Sequence, residues 1–166
     1  MYMYLDLKKD IGTLLVETKV FQEDLEMTRR DCINLVKEHK INEWTDVIEH
    51  FKKLESALII MQVDCVTLMG QTYQSQGTWQ VFNRFYLTFY SLDSLLNELK
   101  HIRNRFVCSL NYPSQLKHSD IDWERSRETI NQIRKYLLAG LDFYDTDQYS
   151  LINRGYKRFM TIGGTL

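Results

Sequence analysis

The sequence predicts a soluble, all-α protein built as a long antiparallel up-down-up-down four-helix bundle with an irregular C-terminal tail. Three observations predict it. Apolar residues recur at alternating three- and four-residue spacings through four long segments. The 166 residues include one proline and seven glycines, too few punctuating residues for a chain of many short elements. The segments are joined by short connections, which force neighbouring helices to run antiparallel. The length is that of one domain, able to bury roughly 70 % of its extended-chain surface without disulfide or metal staples. Residues 1–148 form the expected bundle and residues 149–166 the tail or arm.

The first segment places Leu7, Ile11, Leu14, Thr18, Phe21, Leu25, Thr28, Cys32 and Leu35 on one seam, predicting a helix over 5–38. Asn42 is a good N-cap for a second helix over 42–74, whose seam is Trp44, Val47, Phe51, Leu54, Leu58, Met61, Cys65, Leu68 and Thr72. The polar stretch from Gly70 to Gly77 ends it. Thr78 caps a third helix over 78–111, read on Phe82, Phe85, Phe89, Leu92, Leu96, Leu99, Arg103, Phe106 and Leu110. It stops before Pro113, which disfavours helical geometry at the preceding residue. Ser119-Asp120-Ile121-Asp122 has the form of a capping box opening a fourth helix over 120–147. The fourth seam is Trp123, Ser126, Ile130, Ile133, Leu137, Gly140 and Tyr144, with Gly140 marking a close helix approach or a local bend. The segment from Tyr149 to Leu166 has no clear period; it carries Arg154, Lys157 and Arg158 among aromatic residues.

A net charge of −1 predicts no general attraction to nucleic acid or to anionic membranes. Residues 1–83 carry 9 Lys/Arg against 13 Asp/Glu, and residues 84–166 carry 12 against 9, a mild asymmetry that solvated helix faces explain. Cys32, Cys65 and Cys108 are odd in number and widely spaced, which points away from zinc and from a disulfide framework, and toward reduced thiols in the cytoplasm. The start of the chain has neither the basic nor the apolar region of a signal peptide. The most apolar run, Ala57 to Gly70, is too short and too polar to span a bilayer.

Motifs of chemistry are sparse. Glu98 and His101 have the ExxH spacing of a di-iron bundle, but such a site needs two of these pairs and no other histidine here follows a glutamate by three. No GxSxG, P-loop or GxGxxG occurs, so no catalytic residue, metal or cofactor is expected. The aromatic run from Phe82 to Tyr90 reads as core rather than as a base-stacking platform. The most informative stretch holds His101, Arg103, Asn104, Arg105 and Cys108. Arg103 occupies a seam position, where a guanidinium is costly unless paired or hydrated. Its side chain is therefore expected to be partly buried and held by a carboxylate or by helix-end carbonyls, with Asp120 and Asp122 the nearest acids in chain order.

Arg103-Asn104-Arg105-Phe106-Val107-Cys108, late in a long helix, resembles the motif of HEPN domains. These are helical bundles, many of them metal-independent ribonucleases of toxin and antiviral systems. Their motif is an arginine, often followed by Asn or another polar residue, then a histidine about five or six positions on. The resemblance implies an RNA-binding or RNA-cleaving domain of a toxin or phage-defence system. Cys108 stands where the histidine would be, and neither His101 nor His118 has the spacing, so the resemblance implies a member inactive as a nuclease.

From the residues themselves the expected function is a non-catalytic protein-interaction module, with a homodimer as its leading form. Beside the seams lie Leu15, Ile33, Val36, Ile48, Ile59, Leu95 and Ile102, more apolar surface than a four-helix core is expected to cover. RNA is the alternative partner, and no membrane association is expected.

Overall fold

The computed structural model describes residues 4–38, 43–73, 79–110, 116–117 and 121–145. Four helices account for nearly all of them: α1 (Tyr4–Glu38), α2 (Trp44–Tyr73), α3 (Trp79–Cys108) and α4 (Trp123–Asp145). There is no strand among the described residues. Each helix packs on the next, and α4 closes the ring against α1. The tail, the connection between α2 and α3, and the expected caps Asn42, Thr78 and Ser119 lie outside the described residues.

All nine seam residues of α1 and all nine of α2 are buried. The three seam threonines of these helices fit because each hydroxyl donates to a carbonyl of its own helix: Thr18 to Leu15, Thr28 to Asp24 and Thr72 to Leu68. The α4 seam is also buried, from Trp123, Ser126 and Ile130 to Ile133 and Leu137. Phe143 continues it; the side chain of Tyr144 lies outside those described.

α3 departs from its expected phase. Its buried residues are Val81, Phe85, Thr88, Leu92, Leu95, Leu96, Leu99, Ile102 and Phe106. The large aromatics Phe82 and Phe89 suggest a stripe rotated toward them, but both are only half-buried. The physical reason is that α3 packs on both α2 and α4, and its inward line runs between those neighbours, one residue back along the chain. Thr88 turns inward at little cost because its hydroxyl donates to the Arg84 carbonyl at 2.7 Å. The rotation puts Ile102 in the core and Arg103 on its flank.

Helix ends follow local chemistry. The Asp122 carboxylate accepts from the Arg125 backbone N–H at 3.2 Å, so Asp122 is the α4 N-cap. α4 therefore starts at Trp123 rather than at 120. α3 ends at Cys108 rather than at 111. There the Ser109 N–H is shared between the carbonyls of Arg105 (3.1 Å) and Phe106 (3.2 Å), and the Leu110 N–H reaches back only to Val107. This is the tightened last turn expected at a helix C-terminus.

Polar contacts between neighbours record the antiparallel register. From α1 to α4, the Leu15 carbonyl accepts from Arg134 (2.8 Å), Gln22 pairs with Asn131 (2.8 Å) and Glu26 with Arg127 (2.7 Å). From α2 to α3, Glu55 meets Arg103 (3.2 Å), Gln62 meets Asp93 (3.4 Å), and the Cys65 thiol donates to the Phe85 carbonyl (3.0 Å). One end of the core is aromatic. Phe51 lies 5.9 Å from Phe106 and 6.0 Å from Trp123, and Trp44 meets Phe106 edge-on at 5.5 Å.

Gly140 is buried where α4 crosses α3. A Cβ there would sit 3.6 Å from Phe85 Cε1 and 3.8 Å from Val81 Cγ1, ordinary van der Waals distances. The close approach is real, yet alanine fits it. Gly140→Ala is therefore expected to stabilise the protein by up to about 1 kcal/mol through helix propensity. Paired chemical denaturation curves would show the midpoint rising at unchanged slope.

Candidate interaction surface

The five candidate residues on α3 are not brought together. His101, Asn104, Arg105 and Cys108 are exposed, whereas Arg103 turns toward α2. Arg103 Nε lies 3.2 Å from Glu55 Oε2, with the side chains 24 % and 8 % exposed. The guanidinium is thus partly buried and held by a carboxylate, but the acid is Glu55 rather than Asp122; Asp120 lies outside the described residues. Asp122 is occupied as the α4 cap. Glu55 gives little signal in the sequence because it stands between Leu54 and Leu58, beside a seam defined by apolar residues. The contact is an ion pair without hydrogen-bonding direction, since neither Arg103 Nε nor Glu55 Oε2 makes a hydrogen bond.

Burial pushes the Glu55 carboxyl above the ordinary glutamate range, and the charges of Arg103, Lys100 and Lys52 only partly offset it. The folded state therefore holds the Glu55 proton more tightly than the unfolded chain. Between the ordinary value and the raised one, stability falls as pH rises. Arg103→Ala removes the largest offset and is expected to cost about 1–3 kcal/mol at neutral pH, less than for a fully buried pair. The cost should shrink on acidification, as Glu55 takes a proton. Urea denaturation at several pH values checks this; a penalty independent of pH would contradict it.

Glu98, the acid of the ExxH spacing, also turns away from its histidine. It pairs with Arg125 at 3.1 Å and accepts from the Ser126 hydroxyl at 3.2 Å, tying α3 to α4. Among the described residues no group of three His, Cys, Asp or Glu side chains could hold a metal. Burial pushes the Cys65 thiol up to about 12 and the Cys32 thiol higher still, so both stay protonated, as small apolar groups. No helix among the described residues is long and apolar enough to cross a membrane.

The outer surface is the more informative feature. Of the seven flanking apolar residues, Leu15, Val36, Ile48, Leu95 and Ile102 belong to the core, and only Ile59 is well exposed. The expected excess of apolar side chains exists, but it lies elsewhere. On α2, Ile59, Ile60, Val63 and Val66 face solvent. On α3, Trp79, Tyr86, Leu87 and Tyr90 do, and on α1, Val16 and Val20. Trp79 stacks on Phe82 at 5.0 Å, Phe82 on Tyr86 at 6.5 Å, and Tyr86 meets Tyr90 at 4.7 Å, an aromatic ladder along the outside of α3. Within Phe82–Tyr90, then, only Phe85 among the aromatics is fully buried. In the register set by Gln62 and Asp93, one further turn brings Val66 level with Phe89. The apolar side chains of α2 and α3 thus share one face.

This face is also poor in charge. Between Ser56 and Gly70 the only charged residue is Asp64, and between Trp79 and Leu92 it is Arg84. Neither family models nor curated proteins nor solved structures give a match to this chain.

Proposed function

We propose that this chain is a non-catalytic, cytoplasmic interaction module whose partner is a second copy of itself, held across the outer face of α2 and its neighbours. The observation that carries the reading is the concentration of exposed apolar side chains on α2 and α3, with Val63 61 % exposed near its centre. Large exposed apolar patches on soluble proteins mark contact sites. A twofold contact sets a surface against its own copy, so a face nearly free of charge meets no like-charge conflict. The charge-poor runs Ser56–Gly70 and Trp79–Leu92 are each roughly 20 Å long and lie side by side, a face roughly 20 Å wide. That is about 400 Å², the size of patch that marks a contact site and about half of the ~800 Å² per partner in a standard stable interface.

Light scattering across a concentration series tests the reading. The expected mass is twice the monomer's 19.9 kDa; a monomer at high concentration would contradict it. The RNA-binding or RNA-cleaving reading implied by the HEPN resemblance is separable in the same preparation. It requires metal-independent cleavage of structured RNA, or salt-sensitive retention of it, lost in Arg103→Ala. We expect neither, because Arg103 is engaged with Glu55 while Asn104 and Cys108 face solvent.

A further inference from the structure

α2 carries a second seam on its outer side. Ile59, Val63, Val66 and Gly70 recur at alternating four- and three-residue spacings, and all of them face solvent. Glycine is the poorest helix former after proline, so a glycine inside a helix calls for a packing or functional reason. Gly140 has neighbours that supply one, Phe85 and Val81. Gly70 has none: a Cβ there would meet nothing within 4 Å, not even the ladder of its own α3. Nor does Gly70 end the helix, which runs on to Tyr73, with the Thr72 hydroxyl donating to the Leu68 carbonyl. A Cβ at Gly12 of α1 would also meet nothing, but Lys8 and Lys9 stand one turn away there.

The Gln62–Asp93 contact and the Cys65–Phe85 bond fix the register of α2 against α3. In it, Gly70 comes level with the middle of the aromatic ladder, between Phe82 and Tyr86. The outer side of α2 is thus a strip of β-branched side chains with a gap, whereas that of α3 carries the exposed rings of Trp79, Tyr86 and Tyr90. Such a face can meet its own copy in two ways. A twofold axis across the helices sets α2 on α2 and α3 on α3, so rings crowd rings and small residues face small ones. An axis along the groove between α2 and α3 sets each ladder on the other copy's strip and keeps every residue at its own height. Large then meets small throughout, and Tyr86 of one copy arrives at Gly70 of the other.

We propose that the second copy docks in this second way, with the Tyr86 ring of each copy entering the gap at Gly70 of the other. This inference rests on the self-association reading and adds its geometry. The glycine is then kept for the contact. Its missing side chain lets a ring approach the α2 backbone, and it selects a partner whose α3 presents an aromatic side chain at that height.

Sedimentation equilibrium on the full chain tests this with Gly70→Leu, Tyr86→Ala and the two combined. Gly70→Leu enlarges the exposed apolar surface, so a face that is merely adhesive would bind more tightly. A filled gap instead excludes the Tyr86 ring, and the dissociation constant is expected to rise on the order of 10-fold or more. Tyr86→Ala is expected to raise it by a similar factor. The combination exchanges large for small across the contact. It is expected to bind ~10-fold more tightly than the two separate losses would give together. Urea unfolding of the Gly70→Leu monomer is expected to show no fall in midpoint, because the added side chain enters open space. A wild-type dimer that Gly70→Leu leaves unchanged or tightens, losses that simply add, or a destabilised Gly70→Leu monomer overturns the inference and leaves self-association standing. A monomeric wild type overturns both.

Discussion

Phe106→Ala is expected to lower the unfolding free energy by about 3–5 kcal/mol, a larger loss than Arg103→Ala brings. Phe106 is fully buried, lies nearly perpendicular to Trp44 and tilted against Phe51, which itself stacks on Trp123. Alanine would remove the shared neighbour of Trp44 and Phe51 and leave a void that large rings cannot close without leaving their rotamers. The indole N–H groups of Trp44 and Trp123 are buried without hydrogen-bond partners, so these two rings are held by packing rather than by polar contacts of their own. Thermal and urea unfolding of both proteins measures the difference. A loss below about 1 kcal/mol would mean that this end of the bundle is much looser than its ring contacts imply.

Val63→Glu is expected to weaken self-association on the order of 100-fold or more, about 2.7 kcal/mol, while leaving the monomer's stability nearly unchanged. The dissociation follows from placing a carboxylate, twice across a twofold contact, where apolar surface should be buried. The unchanged stability follows from exposure: Val63 touches solvent in the monomer, and a surface change there falls within about 0.5 kcal/mol. Sedimentation gives the first quantity and denaturation the second. Loss of both together would place Val63 in the fold rather than in the interface.

The fold is largely legible in the sequence, and particular residues show why. Leu7 to Leu35 and Trp44 to Thr72 form seams with one reasonable phase, and both are buried throughout. α3 offers two phases sharing Phe85, Leu92, Leu99 and Phe106, and residue size favours the wrong one. Phe82 and Phe89 are as apolar as core residues, and only the direction of the neighbouring helices decides against them. Arg103 shifts with them: the aromatic phase puts it on the seam, whereas it sits beside the seam and pairs across to α2.

The outer surface is less legible. Exposure is not a property of a residue type, so Ile59 and Ile48 look equivalent until packing separates them. Charge is the signal that does distinguish the outer face. From Ser56 to Gly70 and from Trp79 to Leu92 it nearly vanishes from positions that should be solvated. The pairing of Glu55 with Arg103 is invisible in the sequence for a simpler reason. It depends on the register between helices, which no single-helix pattern contains.

Amide hydrogen exchange compared at low and high protein concentration tests the central claim most directly, because it reports which surface a second copy covers. Self-association across the α2 face predicts slower exchange at high concentration in the peptides spanning Ser56–Gly70 and Trp79–Asp93, with α4 unchanged. Slowing confined to α4, or exchange independent of concentration in every peptide, would contradict it.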